Sequence, residues 1–473
     1  MCAGCAGRSA ARCSPTSWNG RSSSRSSDES EARVAERQSV AASSPAARQR
    51  HIQHIRRGLE TISAGAFDVP DAVGNLRWTE DLLLSTWEQA ATGRPPVSGR
   101  EFRVGRSGGG FDRIHFRFLR PAPVGPPAVA AGDLAIPLNR RSSGPRIEIP
   151  LPVYGAGFSF GSVSLQVMLS RARAAERLGS YTSTGEGGYP LPLAKHRERV
   201  ITQVATGLFG VHEETIQWAP ILEIKYAQGA KPGLGGHLLG NKVTMDVANM
   251  RGSVPWVSLF SPFPFHSVYS VEDHRKHVDW LRTVNPRALV SVKVSTPTDV
   301  EMVAVGIYHA GAHIIHLDGS YGGTGAAPEI AKKNIAMPIE YAIPKVHRQL
   351  LEEGIRDEVV LMASGGVRTA WDVAKAIALG ADGCVIGTAE LVAMGCTQCK
   401  NCELGRGCPF GLTTTDPELS QLIEPDWAAE RVVNLYESWK RQWRELLWRL
   451  ELGNIRQLRG RADLMFHEEY ERK

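Results

Sequence analysis

No continuous apolar run approaches the roughly 18 residues that a membrane-spanning helix needs. The first residues, "MCAGCAGRSAARC", lack the apolar core of a secretory signal. Cysteine is sparse in the 473-residue chain: Cys2, Cys5 and Cys13 lie near the start, Cys384 stands alone, and four more fall within 396–408. That distribution excludes a secreted disulfide framework and fits a reducing, cytoplasmic setting. Lysine is missing from residues 1–60, where ten arginines face five acids. The difference, +5, accounts for nearly all of the net charge of +6, so the remainder is close to neutral. A basic face for nucleic acid is not expected.

Large apolar residues are also scarce over 1–45, a Ser-, Ala- and Arg-rich tail expected to be disordered. Residues 46–147 read as an extension of helical and mixed character. "RQRHIQHIRRGLETI" and "WTEDLLLSTWEQAA" carry helical patterns, and "FDRIHFRF" alternates as a short strand does. From 148 to 395 short apolar strands alternate with helices. The strand candidates include "IPLPVYGAGF", "ILEIKYAQG", "ALVSVKV", "HIIHLDG", "VVLMASGG" and "GCVIGT". Several end in Gly-rich turns, as parallel βαβ units do, and the span suits an α/β fold of the (β/α)8 TIM-barrel type. A cysteine-bearing loop (396–418) and C-terminal helices (419–473) follow, with a helix break expected at Gly453. The Trp and Leu stripe of that last region reads as packing surface.

Two strand ends late in the barrel carry phosphate signals. Ser364, Gly365 and Gly366 lie between a strand and a helix, as do Gly387 and Thr388. Glycines let backbone N–H groups approach an anion, and the loops after strands seven and eight of such barrels often share a phosphate. The plainer reading is two turns that need positive φ. Arg368 is a candidate for the phosphate or for packing beside it. Upstream, Asp318 ends a strand, and Gly322, Gly323 and Thr324 form a loop that could lie flat against a planar ring. A phosphate site beside such a plane suits flavin mononucleotide (FMN).

Two lysines, Lys225 and Lys293, sit inside apolar strands, where a charge is costly unless paired or bound. Lys231 follows in a Gly-rich loop. Converging lysines favour an anionic substrate or the charge of a reduced flavin; pairing with buried carboxylates is the alternative. Glu186, between glycines in "YTSTGEGGYP", could orient an amine or cap a turn. The four clustered cysteines, Cys396, Cys399, Cys402 and Cys408, are spaced C-x2-C-x2-C-x5-C, which begins like a ferredoxin run. Zinc is the rival, although structural zinc sites usually separate two C-x2-C pairs by a longer spacer.

Nine motifs in order along roughly 155–415 resemble the synthase domain of glutamate synthase: "GAGFSFGSVS", "TSTGEGGYP", "IKYAQGAKPGLGGHLLGNKV", "SPFPFHSVYSVED", "VSVKV", "DGSYGGTGAAP", "ASGGVRT", "GADGCVIGTAELVAMGC" and the cysteine run. "CPFGLTTTDPEL" resembles the shorter, archaeal-type branch. The resemblance implies an FMN barrel that reduces 2-iminoglutarate, made from 2-oxoglutarate and ammonia, with electrons relayed by an iron–sulfur cluster. By position, Lys225, Gln228 and Lys231 match its substrate and flavin stretch, and Glu186 its catalytic glutamate motif. Lys293, Ser364, Gly365, Gly366, Gly387 and Thr388 match flavin-binding segments. The family's three cluster cysteines are spaced C-x5-C-x4-C, whereas this chain has C-x5-C-x5-C and the extra Cys399. A fourth ligand would permit a 4Fe-4S in place of a 3Fe-4S cluster. The family's large members begin with a glutaminase whose nucleophile is cysteine; Cys2 is read as coincidence. Ammonia would then arrive free or from a separate glutaminase subunit, and electrons from ferredoxin or an NAD(P)H-flavoprotein subunit. Two alternatives stay open: an enzyme using another amine, like an N-methylglutamate synthase subunit, and a non-catalytic barrel subunit holding zinc.

Overall fold

The computed structural model describes residues 74–98, 110–121, 133–260, 268–324, 327, 331–332, 335–402 and 408–469. The expected tail (1–45) and the helix expected at "RQRHIQHIRRGLETI" lie outside the described residues.

Eight parallel strands make one sheet: β1 (Val153–Gly155), β2 (Thr182–Ser183), β3 (Val200–Ala205), β4 (Ile221–Lys225), β5 (Leu289–Ser295), β6 (Ile314–Asp318), β7 (Val360–Ser364) and β8 (Gly383–Ile386). Their spatial order is β1-β8-β7-β6-β5-β4-β3-β2. A parallel bridge between Gly157 and Ser183 turns β1 back toward β2, and the Gly155 N–H donates to the Tyr181 carbonyl at 2.8 Å. The sheet is therefore a near-closed barrel, and the fold is the (β/α)8 type. Every residue of β3 and β5 is buried, as expected where both faces of a parallel sheet are covered.

Helices α1 (Glu80–Thr92), α2 (Leu165–Leu178), α3 (Glu213–Trp218), α4 (Met245–Arg251), α5 (Val271–Val284), α6 (Val300–His309), α7 (Ile339–Glu352), α8 (Ala370–Ala378), α9 (Thr388–Ala393) and α10 (Pro425–Arg449) accompany the strands. Local chemistry sets their ends. Ser164 caps α2 by accepting from the Val167 N–H, and Gly179 closes it in the left-handed region. Thr369 caps α8 in the same way, through Asp372. α10 starts on the Glu424 carboxylate with Pro425 in its first turn.

The segments outside the barrel pack on its β8 side. α10 buries Trp427, Trp439, Trp443 and Leu446, and the Trp443 Nε1–H donates to the Ala370 carbonyl at 2.8 Å. α1 lies against it: Gln89 Oε1 accepts from Ser438 Oγ at 2.8 Å and Gln442 Nε2 at 2.9 Å. Trp87 Nε1–H donates to the Val392 carbonyl of α9 at 2.7 Å. The alternating segment supplies Ile114–Phe116, paired antiparallel with Met465–His467. Among the described residues no helix is long and apolar enough to cross a membrane.

Candidate functional site

The polar chemistry of the barrel sits at every second residue of four adjacent strands. Glu223 and Lys225 on β4, Ser291 and Lys293 on β5, and His316 and Asp318 on β6 repeat the spacing, and β7 ends in Ser364. Period two sends all of them to one face of the sheet. Register then places Lys293 beside both Lys225 and His316, and Asp318 beside Ser364. A buried network results. Glu223 accepts from Gln203 Nε2 at 2.7 Å and Ser291 Oγ at 3.1 Å, and its other partner is His316 Nδ1 at 2.8 Å. His316 Nε2 meets Ser364 Oγ at 2.8 Å, and Ser364 donates to Asp318. Asp318 completes the run with Lys293 Nζ at 3.3 Å and the Gly229 N–H at 3.0 Å. Burial acts to raise the Glu223 carboxyl, but His316, Lys293 and Gln203 outweigh it and bring it to about 2.

These strand ends open onto a cavity of about 460 Å³. Glu186, Lys225, Gln228, Lys231, Lys293 and Asp318 line it. Lys225 Nζ and Glu186 Oε1 form an ion pair at 2.8 Å. Lys225 and Lys293 each meet a carboxylate, and both line the cavity. Burial favours the neutral Glu186 carboxyl, but Lys225, with Lys231 and Arg251, holds it below the usual range. Lys231 is buried, and desolvation plus the neighbouring Lys225 push its ammonium down to about 8. Such a group can hold an anion and can also release a proton near neutral pH.

Gly322, Gly323, Thr324, Ser364, Gly365, Gly366, Gly387 and Thr388 line the same cavity. Gly365 and Gly366 have φ of +87° and +113°. A Cβ on Gly365 would stand 2.4 Å from the Gly319 carbonyl oxygen, so the turn closes only with glycine. The expected helix dipole after β8 is short, because α9 spans six residues. Arg368 is buried and committed elsewhere: its guanidinium pairs with Asp112 and Asp372 and donates to the Arg77 carbonyl at 2.9 Å. Arg368 lines the cavity as well. Arg77, from the segment before α1, lines the cavity too, its guanidinium 3.5 Å from the Tyr321 ring centroid. Arg77 went unnoticed in the sequence because it lies far from any glycine motif. Tyr321, Lys242 and Lys332 are further lining residues not singled out there.

Cys396, Cys399, Cys402 and Cys408 also line the cavity, none of them in a disulfide bond. Half-buried Lys242 lies near Cys402 and Cys408 and donates to the Thr413 carbonyl at 3.3 Å. Among the described residues no three Cys, His, Asp or Glu side chains are drawn together as a metal-binding group. Four thiols are a donor type that either an iron–sulfur cluster or zinc takes. The glycine turn and the unpartnered guanidinium of Arg77 fit a phosphorylated ligand, as FMN is.

Known proteins give the same direction. Residues 130–452 match the family described as the conserved region in glutamate synthase. The archaeal-type glutamate synthase [NADPH] of Thermotoga neapolitana is 41% identical over 68% of this chain and 63% of its own length. The archaeal glutamate synthase [NADPH] of Archaeoglobus fulgidus is 42% identical over 67% of this chain and 62% of its own. The glutamate synthase [NADPH] large chain of Bacillus subtilis is 38% identical over 66% of this chain, but only 21% of its length is covered. The chain thus spans less than two thirds of each of these relatives, and through that shared region it belongs to the glutamate synthase family.

Proposed function

We propose that the chain carries the reductive amination of 2-oxoglutarate, through 2-iminoglutarate, to glutamate. The observation that carries this reading is one cavity lined by the Glu186–Lys225 pair, by Lys231, by the glycine turns and by four thiols. Lys225 and Lys231 hold the carboxylates of the oxoacid. Glu186, kept ionised by its lysine and arginine neighbours, accepts hydrogen bonds from the nitrogen and orients it. Lys231 donates a proton where charge develops on the substrate. Gln228, Lys293, Asp318, Gly322, Gly323, Thr324, Ser364, Gly365, Gly366, Gly387 and Thr388 would hold FMN, which supplies hydride transfer when bound. Cys396, Cys399, Cys402 and Cys408 would hold an iron–sulfur cluster, which supplies single electrons. Ferredoxin or an NAD(P)H-flavoprotein subunit is the proposed electron donor, and free ammonia or a glutaminase subunit the nitrogen source.

The test is an anaerobic assay of the purified chain with a low-potential reductant, 2-oxoglutarate and ammonium. Glutamate is expected. No glutamate from a flavin-loaded chain contradicts this form of the reading. Turnover with methylamine alone would keep the chemistry and replace the nitrogen donor.

A further inference from the structure

Arg77 is 8% exposed, and among the described residues neither of its buried Nη atoms has a hydrogen-bond partner. Buried guanidinium donors left unpaired are costly, so the position calls for an acceptor. Its main chain is fixed. The Arg77 and Trp78 N–H groups donate to Asn75 Oδ1 at 2.9 and 3.0 Å, and the Arg77 carbonyl accepts from Arg368. Three residues earlier the chain is tied to the cysteine loop, where the Gly74 N–H donates to the Thr397 carbonyl at 2.9 Å. The side chain lies on the Tyr321 ring, and a Cβ on Gly366 would come within 3.3 Å of its Nη2. The guanidinium therefore stands beside Gly366 of the Gly365–Gly366 turn, and Arg77 lines the cavity.

The Glu340 carboxylate, which acts on it electrostatically, is not its counterion. Glu340 Oε1 accepts from the Gly110 N–H at 2.7 Å, Oε2 has no partner, and no ion pair joins it to Arg77 among the described residues. Burial raises the Glu340 carboxyl above its ordinary range, which further weakens it as an anion. A planar guanidinium with free forked donors beside a glycine turn matches a phosphate monoester. We propose that Arg77, supplied from outside the barrel, binds the phosphate of the flavin nucleotide at Gly365–Gly366. Arg368 acts as its positioning residue. This rests on the flavin reading above.

The test compares FMN with riboflavin, which lacks the phosphate. Full-length chain stripped of flavin is titrated with each, reading quenching of flavin fluorescence. Wild type is expected to prefer FMN. Arg77→Gln should raise the FMN Kd by about 10- to 100-fold and leave the riboflavin Kd within about twofold. Arg77→Lys, which keeps the charge without the fork, should retain part of the preference and serves if the glutamine variant misfolds. Equal weakening of both flavins, or no change, overturns the proposal while the flavin site stands. A wild-type chain that binds neither flavin overturns both.

Discussion

Lys231 shows how one residue's surroundings set a working range. Burial and Lys225 lower its ammonium from the ordinary lysine range to about 8. If its charge holds a substrate carboxylate, binding is complete below that value and fades as pH rises through it. The KM for 2-oxoglutarate should therefore climb above pH ~8, and Lys231→Arg should remove that limb, because arginine stays charged. A flat KM profile from pH 7 to 10 would contradict the assignment. The stability sign runs the opposite way. The folded chain binds this proton more weakly than the unfolded chain, so the group's contribution to stability rises between about 8 and the unfolded lysine value. At this scale the sequence was informative about residue type but not about partners. Lys225 and Lys293 are conspicuous in apolar strands, yet Glu186 and Asp318 as their counterions needed the fold. His316 and Glu223 carried a usable signal, polar residues at i and i+2 in otherwise apolar strands, which points to one face. Arg77 carried none, because its importance comes from a contact with Tyr321 and Gly366 some 240 to 290 residues away.

The turns after the strands are the elements that shape the cavity. Gly365 must keep both its positive φ and its contact with Gly319. Gly365→Ala should cost about 1–3 kcal/mol in backbone strain alone, read as a lower denaturant midpoint, and should expel flavin. A variant as stable as wild type and fully flavin-loaded would show that the turn relaxes and is not a fixed cradle. Six barrel strands were legible because each is a short apolar run, and most are closed by glycine. β2 and β3 were not. β2 is two residues long inside a polar Gly-rich stretch, and β3, "VITQVA", carries the polar Thr202 and Gln203 in mid-strand. The C-terminal helix and its stop near Gly453 were readable from period and composition. α10 ends at Arg449, and a 3-10 turn at Ile455–Leu458 follows.

Across the whole molecule, segments far apart in the chain converge on one space. The barrel contributes cations and glycines, the cysteine loop contributes thiols, and the segment before α1 contributes Arg77. That convergence supports a redox site in which a flavin and a thiolate-held cluster lie close together. The measurement that bears most directly on it is a cofactor inventory of the anaerobically purified full chain: visible spectrum, released flavin, iron, acid-labile sulfide and zinc on one sample. The prediction is about one FMN per chain together with iron and sulfide. A colourless chain holding zinc at the cysteines and no flavin would contradict it, and would leave a barrel that keeps the family's shape without its chemistry.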